Sequence, residues 1–287
     1  MIAPPPPAAL ITGASSGIGR ATAELLAAEG FRVLAGVRRR TPGGPLAEAP
    51  AGTEPVELSV EDADCVARAA GELQAMCPHG LFALVNNAGI APPAPLELVT
   101  VEEFRQVLEV NAVAPLRLIQ ACLPLLRQGR GRIVNMSSMN GTVAMPIVGA
   151  YSASKFALEA LSESLRMELR PWRIDVTVIR PGQVRTEIFA KAGEALATRA
   201  GTVPGELAAG YDGLFARATL FNRRGAKART RPEHVARTVL RALRARRMKP
   251  RYYVGLDALG LQIAREWLPT RAMDWAMAKA MGLTRRI

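Results

Sequence analysis

The stretch Thr12-Gly13-Ala14-Ser15-Ser16-Gly17-Ile18-Gly19 narrows what this chain can fold into more than any other. It joins a short apolar run, Ala8–Thr12, to a helical pattern in which Ala21, Ala23, Leu25, Leu26 and Ala28 recur until Gly30 stops it. Phe31–Val37 then reads as a second buried strand. A strand, a helix and a strand within about 30 residues form a crossover unit, and such units build parallel sheets. Glycine at the turn permits a tight bend. It also lets an anionic group such as a diphosphate approach backbone N–H groups at a helix start.

The alternation continues along the chain. Pro55–Ser59 is a strand candidate, Asp62–Met76 a helix with acids at its start, and Leu81–Asn86 a strand that ends in Asn-Asn-Ala-Gly. Thr100 caps a long helix reaching about Arg127, with Glu102 and Glu103 in its first turn. Gly131–Ser137, Ile174–Arg180 and Tyr252–Gly255 read as further strands, and Tyr151–Leu169 and Pro232–Arg246 as helices. This pattern implies an α/β fold, a single doubly wound parallel sheet with helices on both faces. With 287 residues, 49% hydrophobic and 22% charged, the chain can bury a sizeable core, and no linker divides it. The expected organisation is a flexible Pro-rich tail at 1–7, one domain at 8–260 and a helical C-terminal tail at 261–287. The weakly patterned stretch at about 187–228 follows a late strand, where an insertion covers a substrate site as a lid.

Two further features carry chemistry. An acid at the end of the second strand would bind ribose hydroxyls, and a base there would accept a 2′-phosphate. The sequence reads Gly36-Val37-Arg38-Arg39-Arg40. Arg38 can hold a phosphate bidentately and stack on an adenine ring, so NADP(H) is expected over NAD(H). The second feature is Ser138, Tyr151 and Lys155. Tyr151 and Lys155 are four apart on a helix and share a face. A phenol with a pKa near 10 is a poor acid or base at neutral pH, and the Lys155 ammonium would lower that pKa. Ser138 follows a strand and can hydrogen-bond a substrate oxygen.

Together these motifs resemble the short-chain dehydrogenase/reductase family. The matching pieces are Thr12–Gly19, Asn86-Asn87-Ala88-Gly89, Asn111, Ser137-Ser138, Tyr151-Ser152-Ala153-Ser154-Lys155 and Arg180-Pro181-Gly182-Gln183-Val184-Arg185-Thr186, in the family's order and spacing. The resemblance implies a Rossmann-like sheet and an oxidoreductase that moves hydride between NADP(H) and a carbonyl or alcohol. It implies Tyr151 as general acid in reduction and base in oxidation. Lys155 would lower its pKa and hold the nicotinamide ribose, Ser138 would polarise the substrate carbonyl, and Asn111 would anchor a water in a proton relay. Gly13, Ser15, Ser16, Gly17, Ile18 and Gly19 would take the diphosphate. Asn87, Ala88 and Gly89 would line the adenosine and ribose side, and Pro181, Gly182, Val184 and Thr186 the nicotinamide. One departure stands out: where the family has Leu-Asp-Val, this chain has Leu58-Ser59-Val60. Ser59, beside Val60, offers the adenine side a hydrogen bond but no charge.

The loop Met139–Gly149 lies between Ser138 and Tyr151 and must pass the active site. Its Val143, Ala144, Met145, Pro146, Ile147 and Val148 are apolar. With Gln183 and the lid residues Ile188, Phe189, Tyr211, Leu214 and Phe215 they point to a hydrophobic pocket. The expected substrate is a lipophilic ketone or secondary alcohol of retinoid, steroid or fatty type, contacted by Ser138, Met145, Tyr151 and Gln183.

Charge and composition weigh against other classes. The net charge of +12 is concentrated at 223–251, where twelve basic residues face one acid, Glu233. No nucleic-acid-binding module accompanies them, so a solvated basic face is expected and no nucleic-acid partner. Three Cys and two His make neither a disulfide framework nor a metal site, and suit a reducing, cytoplasmic setting. No signal peptide is recognisable, and the uncharged stretch 133–154 is too polar and broken for a membrane span. Met273, Met277 and Met281 form a stripe that packs in the core or between subunits, or else touches a membrane surface together with the basic segment. The family resemblance implies a homodimer or homotetramer through the helices at Val101–Arg127 and Ser152–Leu169. The competing reading is a catalytically silent nucleotide-binding regulator or scaffold on the same fold.

Overall fold

A computed structural model describes residues 5–39, 41 and 43–283. Of the expected N-terminal tail, residues 1–4 lie outside the described residues, and Pro5–Pro7 are exposed and outside any element. Seven strands follow: β1 (Ala8–Thr12), β2 (Arg32–Val37), β3 (Glu54–Glu57), β4 (Ala83–Asn86), β5 (Arg132–Met136), β6 (Asp175–Pro181) and β7 (Arg251–Val254). They form one sheet in the order β3-β2-β1-β4-β5-β6-β7, and every pair is parallel. The doubly wound expectation is met. The strand order reverses between β1 and β4, and in such sheets that crevice, at the carboxyl ends, is where ligands bind.

Both faces of the sheet are covered. Helices α1 (Gly17–Ala28) and α8 (Pro232–Arg244) pack on one face, where Ala23, Leu26, Val235 and Val239 meet Ile11, Val85 and Val134. Helices α2 (Ala63–Met76), α4 (Ala114–Gln128) and α5 (Gly149–Glu168) cover the other, where Leu73, Leu118 and Leu165 meet Leu10, Leu84 and Ile133. Alternate residues of one strand thus feed two cores. This is why β1 reads as an unbroken apolar run rather than an alternating one.

The long helix expected from Thr100 is not continuous. Thr100 caps α3 (Val101–Leu108): its Oγ1 accepts from Glu103 N at 3.1 Å, and Glu103 Oε2 accepts from Thr100 N at 2.9 Å. A π-helical turn at Glu109–Val113 then intervenes before α4. Such turns insert one extra residue and re-aim a side chain, and the one at its centre is Asn111. The stretch Val101–Gln128 is long and apolar enough to cross a membrane, but half of its most apolar part is buried inside this fold.

The region after β6, expected as a lid, is helical: α6 (Ile188–Ala200) and α7 (Gly205–Ala226) span it. Two more helices, α9 (Leu256–Trp267) and α10 (Thr270–Ala280), are the last elements of the described residues, and position 260 lies inside α9. A third, small core of Leu196, Leu214, Phe215, Ala218 and Met281 joins the lid to Ile147. Cys65, Cys77 and Cys122 are buried and unpaired. Among the described residues no cluster of His, Cys, Asp or Glu could hold a metal ion.

Candidate active site

The Gly-rich turn leaves the carboxyl end of β1 with Gly13 and Gly17 in the left-handed region, at φ 63° and 54°. A Cβ on Gly19 would strike the Gly13 carbonyl and come within 2.5 Å of Asn87 Nδ2. The turn is stitched to the end of β4. Thr12 Oγ1 accepts from the backbone N of Asn87 and of Ala88, each at 2.9 Å, and Asn87 Nδ2 donates to Thr12 O at 2.9 Å. Asn87 thereby shapes the turn itself. The first turn of α1 holds no acidic residue, and Ser16 caps it without a side-chain hydrogen bond. A positively polarised helix end with such a glycine cradle fits a dinucleotide diphosphate.

The residues around this cradle take up definite partners. Arg39 forms an ion pair with Glu57, donating from Nε at 2.7 Å. Arg38 is two-thirds exposed, with Glu61 no closer than 3.8 Å. Of the arginines at this strand end, Arg38 is therefore the one with a guanidinium only loosely paired, while Arg40 lies outside the described residues. Ser59 donates its backbone N–H to Cys65 Sγ at 3.3 Å, and the Val60 carbonyl accepts from Arg117 at 3.2 Å. Ser59 and Val60 thus lead into α2, whose N-terminus Asp62 caps. Across the cradle, Thr186 sits against Gly17, where a Cβ would meet its methyl group at 3.4 Å.

Helix α5 is set in register by a chain of buried amides and hydroxyls. Asn86 Nδ2 donates to Asn135 Oδ1, and Asn135 Nδ2 donates to Ser162 Oγ, both at 2.8 Å. Asn111 Nδ2 donates to Ser154 Oγ at 2.9 Å and to Ile90 O at 2.8 Å, while its Oδ1 accepts from Ile90 N at 2.9 Å. Ser152, Ser154 and Ser162 of α5 are all buried, Ser154 meeting Asn111 and Ser162 meeting Asn135. The result brings Tyr151, Lys155 and Ser138 together. Lys155 Nζ donates to Met136 O at 2.8 Å and lies 5.6 Å from the centre of the Tyr151 ring. Gly89 faces the same space: a Cβ there would lie 3.1 Å from Asn111 Oδ1 and 3.6 Å from Lys155 Nζ.

The electrostatics correct one expectation. Burial pushes the Tyr151 phenol up from its ordinary value, opposed by a hydrogen bond with Ser138. The lowering expected from Lys155 is not what dominates. Burial also depresses Lys155 itself, to about 8, against the pull of the Glu159 carboxylate. Glu159 escaped the sequence analysis. It forms a bidentate pair with Arg180, Nε and Nη2 each 2.8 Å from a carboxylate oxygen, and both residues are buried. Its spacing from Tyr151 and Lys155, eight and four residues on one helix, was the available signal.

Beyond β6, backbone N–H groups anchor the segment Gly182–Thr186. Gly182 N donates to Val254 O at 2.9 Å, Gln183 N to Asp257 Oδ2 at 2.7 Å and Arg185 N to Thr230 O at 2.9 Å. A Cβ on Gly182 would collide with the Asp257 carboxylate, another residue the sequence did not single out. A cleft of about 300 Å³ opens here; of the four expected substrate contacts Met145 and Gln183 line it, with Met139 beside them, while Ser138 and Tyr151 are not among its lining residues. The lid contribution differs from expectation. Leu214 and Phe215 turn inward to the lid's own core, with Tyr211 packed on them, and the cleft is lined instead by Leu220 and Phe221. Met277 and Met281 of the methionine stripe also line it, while Met273 is buried.

Comparison with known proteins agrees with this geometry. The family model described as short chain dehydrogenase matches residues 7–197. The chain is 35% identical over 266 residues to an uncharacterised oxidoreductase, YbbO, of Escherichia coli strain K12, covering 92% of this chain and 91% of that one. It is 35% identical over 272 residues to retinol dehydrogenase 5 of Mus musculus, covering 92% and 85%. Among solved structures, a short chain dehydrogenase from Burkholderia cenocepacia in complex with NADP superposes with a TM-score of 0.72 at 26% identity, covering 98% of each chain. The chain belongs to the short-chain dehydrogenase family, oxidoreductases that work between alcohol and carbonyl with a nicotinamide cofactor.

Proposed function

We propose that the protein is an NADP(H)-dependent oxidoreductase that interconverts a lipophilic ketone and its secondary alcohol. The observation that carries this reading is the joint placement of Ser138, Tyr151 and Lys155 beside a glycine cradle suited to a dinucleotide. The bound nicotinamide would supply or accept the hydride at the substrate carbon.

The chain's own residues do the rest. Tyr151 and Ser138 present their hydroxyls to the substrate oxygen, Tyr151 giving its proton in reduction and taking one in oxidation. The raised pKa of the phenol keeps it protonated at neutral pH, which suits a proton donor. Lys155, held at the end of β5, provides the positive charge that stabilises the phenolate once the proton has left. Asn111 positions the Ile90 loop and Ser154. The side-chain-free space at Gly89 joins its Oδ1 to Lys155 Nζ and suits a water relay. Gly13, Ser15, Ser16, Gly17, Ile18 and Gly19 would cradle the diphosphate. Ala88 and Gly89 would lie along the adenosine side, and Pro181, Gly182, Val184 and Thr186 along the nicotinamide.

Arg38 supports the preference for NADP(H), because a loosely paired guanidinium and no carboxylate stands at the end of β2. The NADP complex of the Burkholderia relative and the name of the mouse relative point the same way for cofactor and lipophilic substrate. The decisive experiment follows NADPH oxidation with a ketone panel in wild type and Tyr151→Phe. Turnover should fall by about 10³-fold while NADPH affinity stays within about threefold. Equal turnover in the variant would remove the assigned role, and a kcat/KM that favours NADH would remove the cofactor assignment.

A further inference from the structure

We infer that the cleft takes a substrate that is amphipathic, an apolar ketone or alcohol carrying a carboxylate of the oxo- or hydroxy-fatty-acid kind. The inference deepens the proposed function and rests on it. The cleft face of α7 consists of Arg217, Leu220, Phe221 and Arg224, at helical spacings of three, four and seven. A core-facing stripe would be apolar throughout, and a solvent-facing one polar throughout. This one sets two large apolar side chains between two guanidiniums, about 10 Å apart along the helix axis.

The remaining lining sorts the same way. Met139, Met145, Leu261, Met277 and Met281 extend the apolar surface. The one acid among the lining residues, Asp257, is already engaged: Oδ2 accepts from Gln183 N at 2.7 Å and Oδ1 from Ala258 N at 3.0 Å. Among the described residues neither Arg217 nor Arg224, both exposed at the cleft, takes part in an ion pair or side-chain hydrogen bond, so both guanidiniums are open to a ligand. Two guanidiniums against one committed carboxylate leave the lining with excess positive charge. A planar carboxylate is the group their fork geometry matches. Met139, which lines the cleft, adjoins Ser138 in the chain, so the reactive carbonyl is assigned to the Met139 side and the carboxylate to the α7 side.

The test compares an oxo fatty acid with its methyl ester, which keeps chain and ketone but loses the charge. NADPH-dependent kcat/KM should favour the acid in wild type. In Arg217→Gln/Arg224→Gln the acid-over-ester ratio should fall at least tenfold. A wild-type preference for the ester, or a ratio unchanged by the substitutions, overturns the inference. A binding measurement keeps it independent of turnover: titration of a saturated fatty acid against the matching alcohol by tryptophan fluorescence. Tighter binding of the acid, lost in the double variant, supports the carboxylate site even if no ketone is reduced. Equal binding of acid and alcohol rejects it even if ketones are reduced.

Discussion

The cradle around β1 and β4 and the lid side built by α6, α7, α9 and α10 are held by different means. At the cradle, Leu10, Ile11, Leu84 and Val85 are fully buried, and hydrogen bonds from Thr12 and Asn87 tie the two strand ends together. On the lid side, Leu256 is 88% exposed and Trp267 81%, and the region's own core is a handful of residues around Leu214. The contrast separates two tasks. A dinucleotide presents the same diphosphate to every enzyme that binds it, so its cradle tolerates no variation in backbone path. A substrate pocket formed between loosely packed helices can be re-lined without disturbing that cradle.

Substitutions can break or sharpen this contrast. The largest effect is expected at Gly19→Val, where the added side chain drives into the Gly13 carbonyl and Asn87. NADPH affinity should drop by about 100-fold or more, read by fluorescence titration, with folding checked by circular dichroism. Next is Asn135→Ala, which strands the buried Asn86 amide and removes a donor from Ser162, whose hydroxyl keeps its bond to Leu158 O. It should cost about 2 kcal/mol in urea unfolding, from one buried polar group left unpaired and one hydrogen bond lost, and lower kcat through a misplaced α5.

A third prediction concerns pH. Burial depresses Lys155 from 10.5 to about 8, so between those values the unfolded chain binds the proton and the folded chain does not. Stability from this group rises as pH climbs through that window. Lys155→Met removes the dependence. Wild type should therefore gain on the variant by about 3 kcal/mol from the bottom of the window to the top, read from paired urea curves. A gap that stays flat or moves the other way contradicts the burial of a titrating Lys155.

The lid should respond more mildly and in a different quantity. Leu214→Ala empties part of the small lid core, costs about 2 kcal/mol and raises substrate KM with NADPH affinity unchanged. The smallest effect is expected at Trp267→Ser, within about 0.5 kcal/mol by thermal melting, because that ring is mostly in solvent. A large loss there would show that the exposed apolar surface of α9 is covered in solution.

Much of the cradle was legible because its constraints are local. Glycines at Gly13, Gly17 and Gly19, an apolar run before them and a helical pattern after them state the turn without reference to the rest of the fold. Tyr151 and Lys155 were legible for the same reason, since helical periodicity alone puts them on one face. Glu159 and Asp257 were not. Each matters through a partner far along the chain, Arg180 and the Gly182–Gln183 backbone respectively, and single-sequence patterns do not report such pairings. The inward turn of Leu214 and Phe215 was equally hidden, because α7 is apolar on more than one side.

By itself the sequence determined the alternation of strands and helices, the glycine cradle and the Ser138, Tyr151 and Lys155 set. Those depend on backbone sterics and on spacings of a few residues. The tertiary structure alone decided the π-helical turn that places Asn111, the direction in which burial moves the Tyr151 and Lys155 protons, and which face of α7 lines the cleft. Solvation and close packing act through distance in space, and neighbours in space are set only once the whole chain has folded.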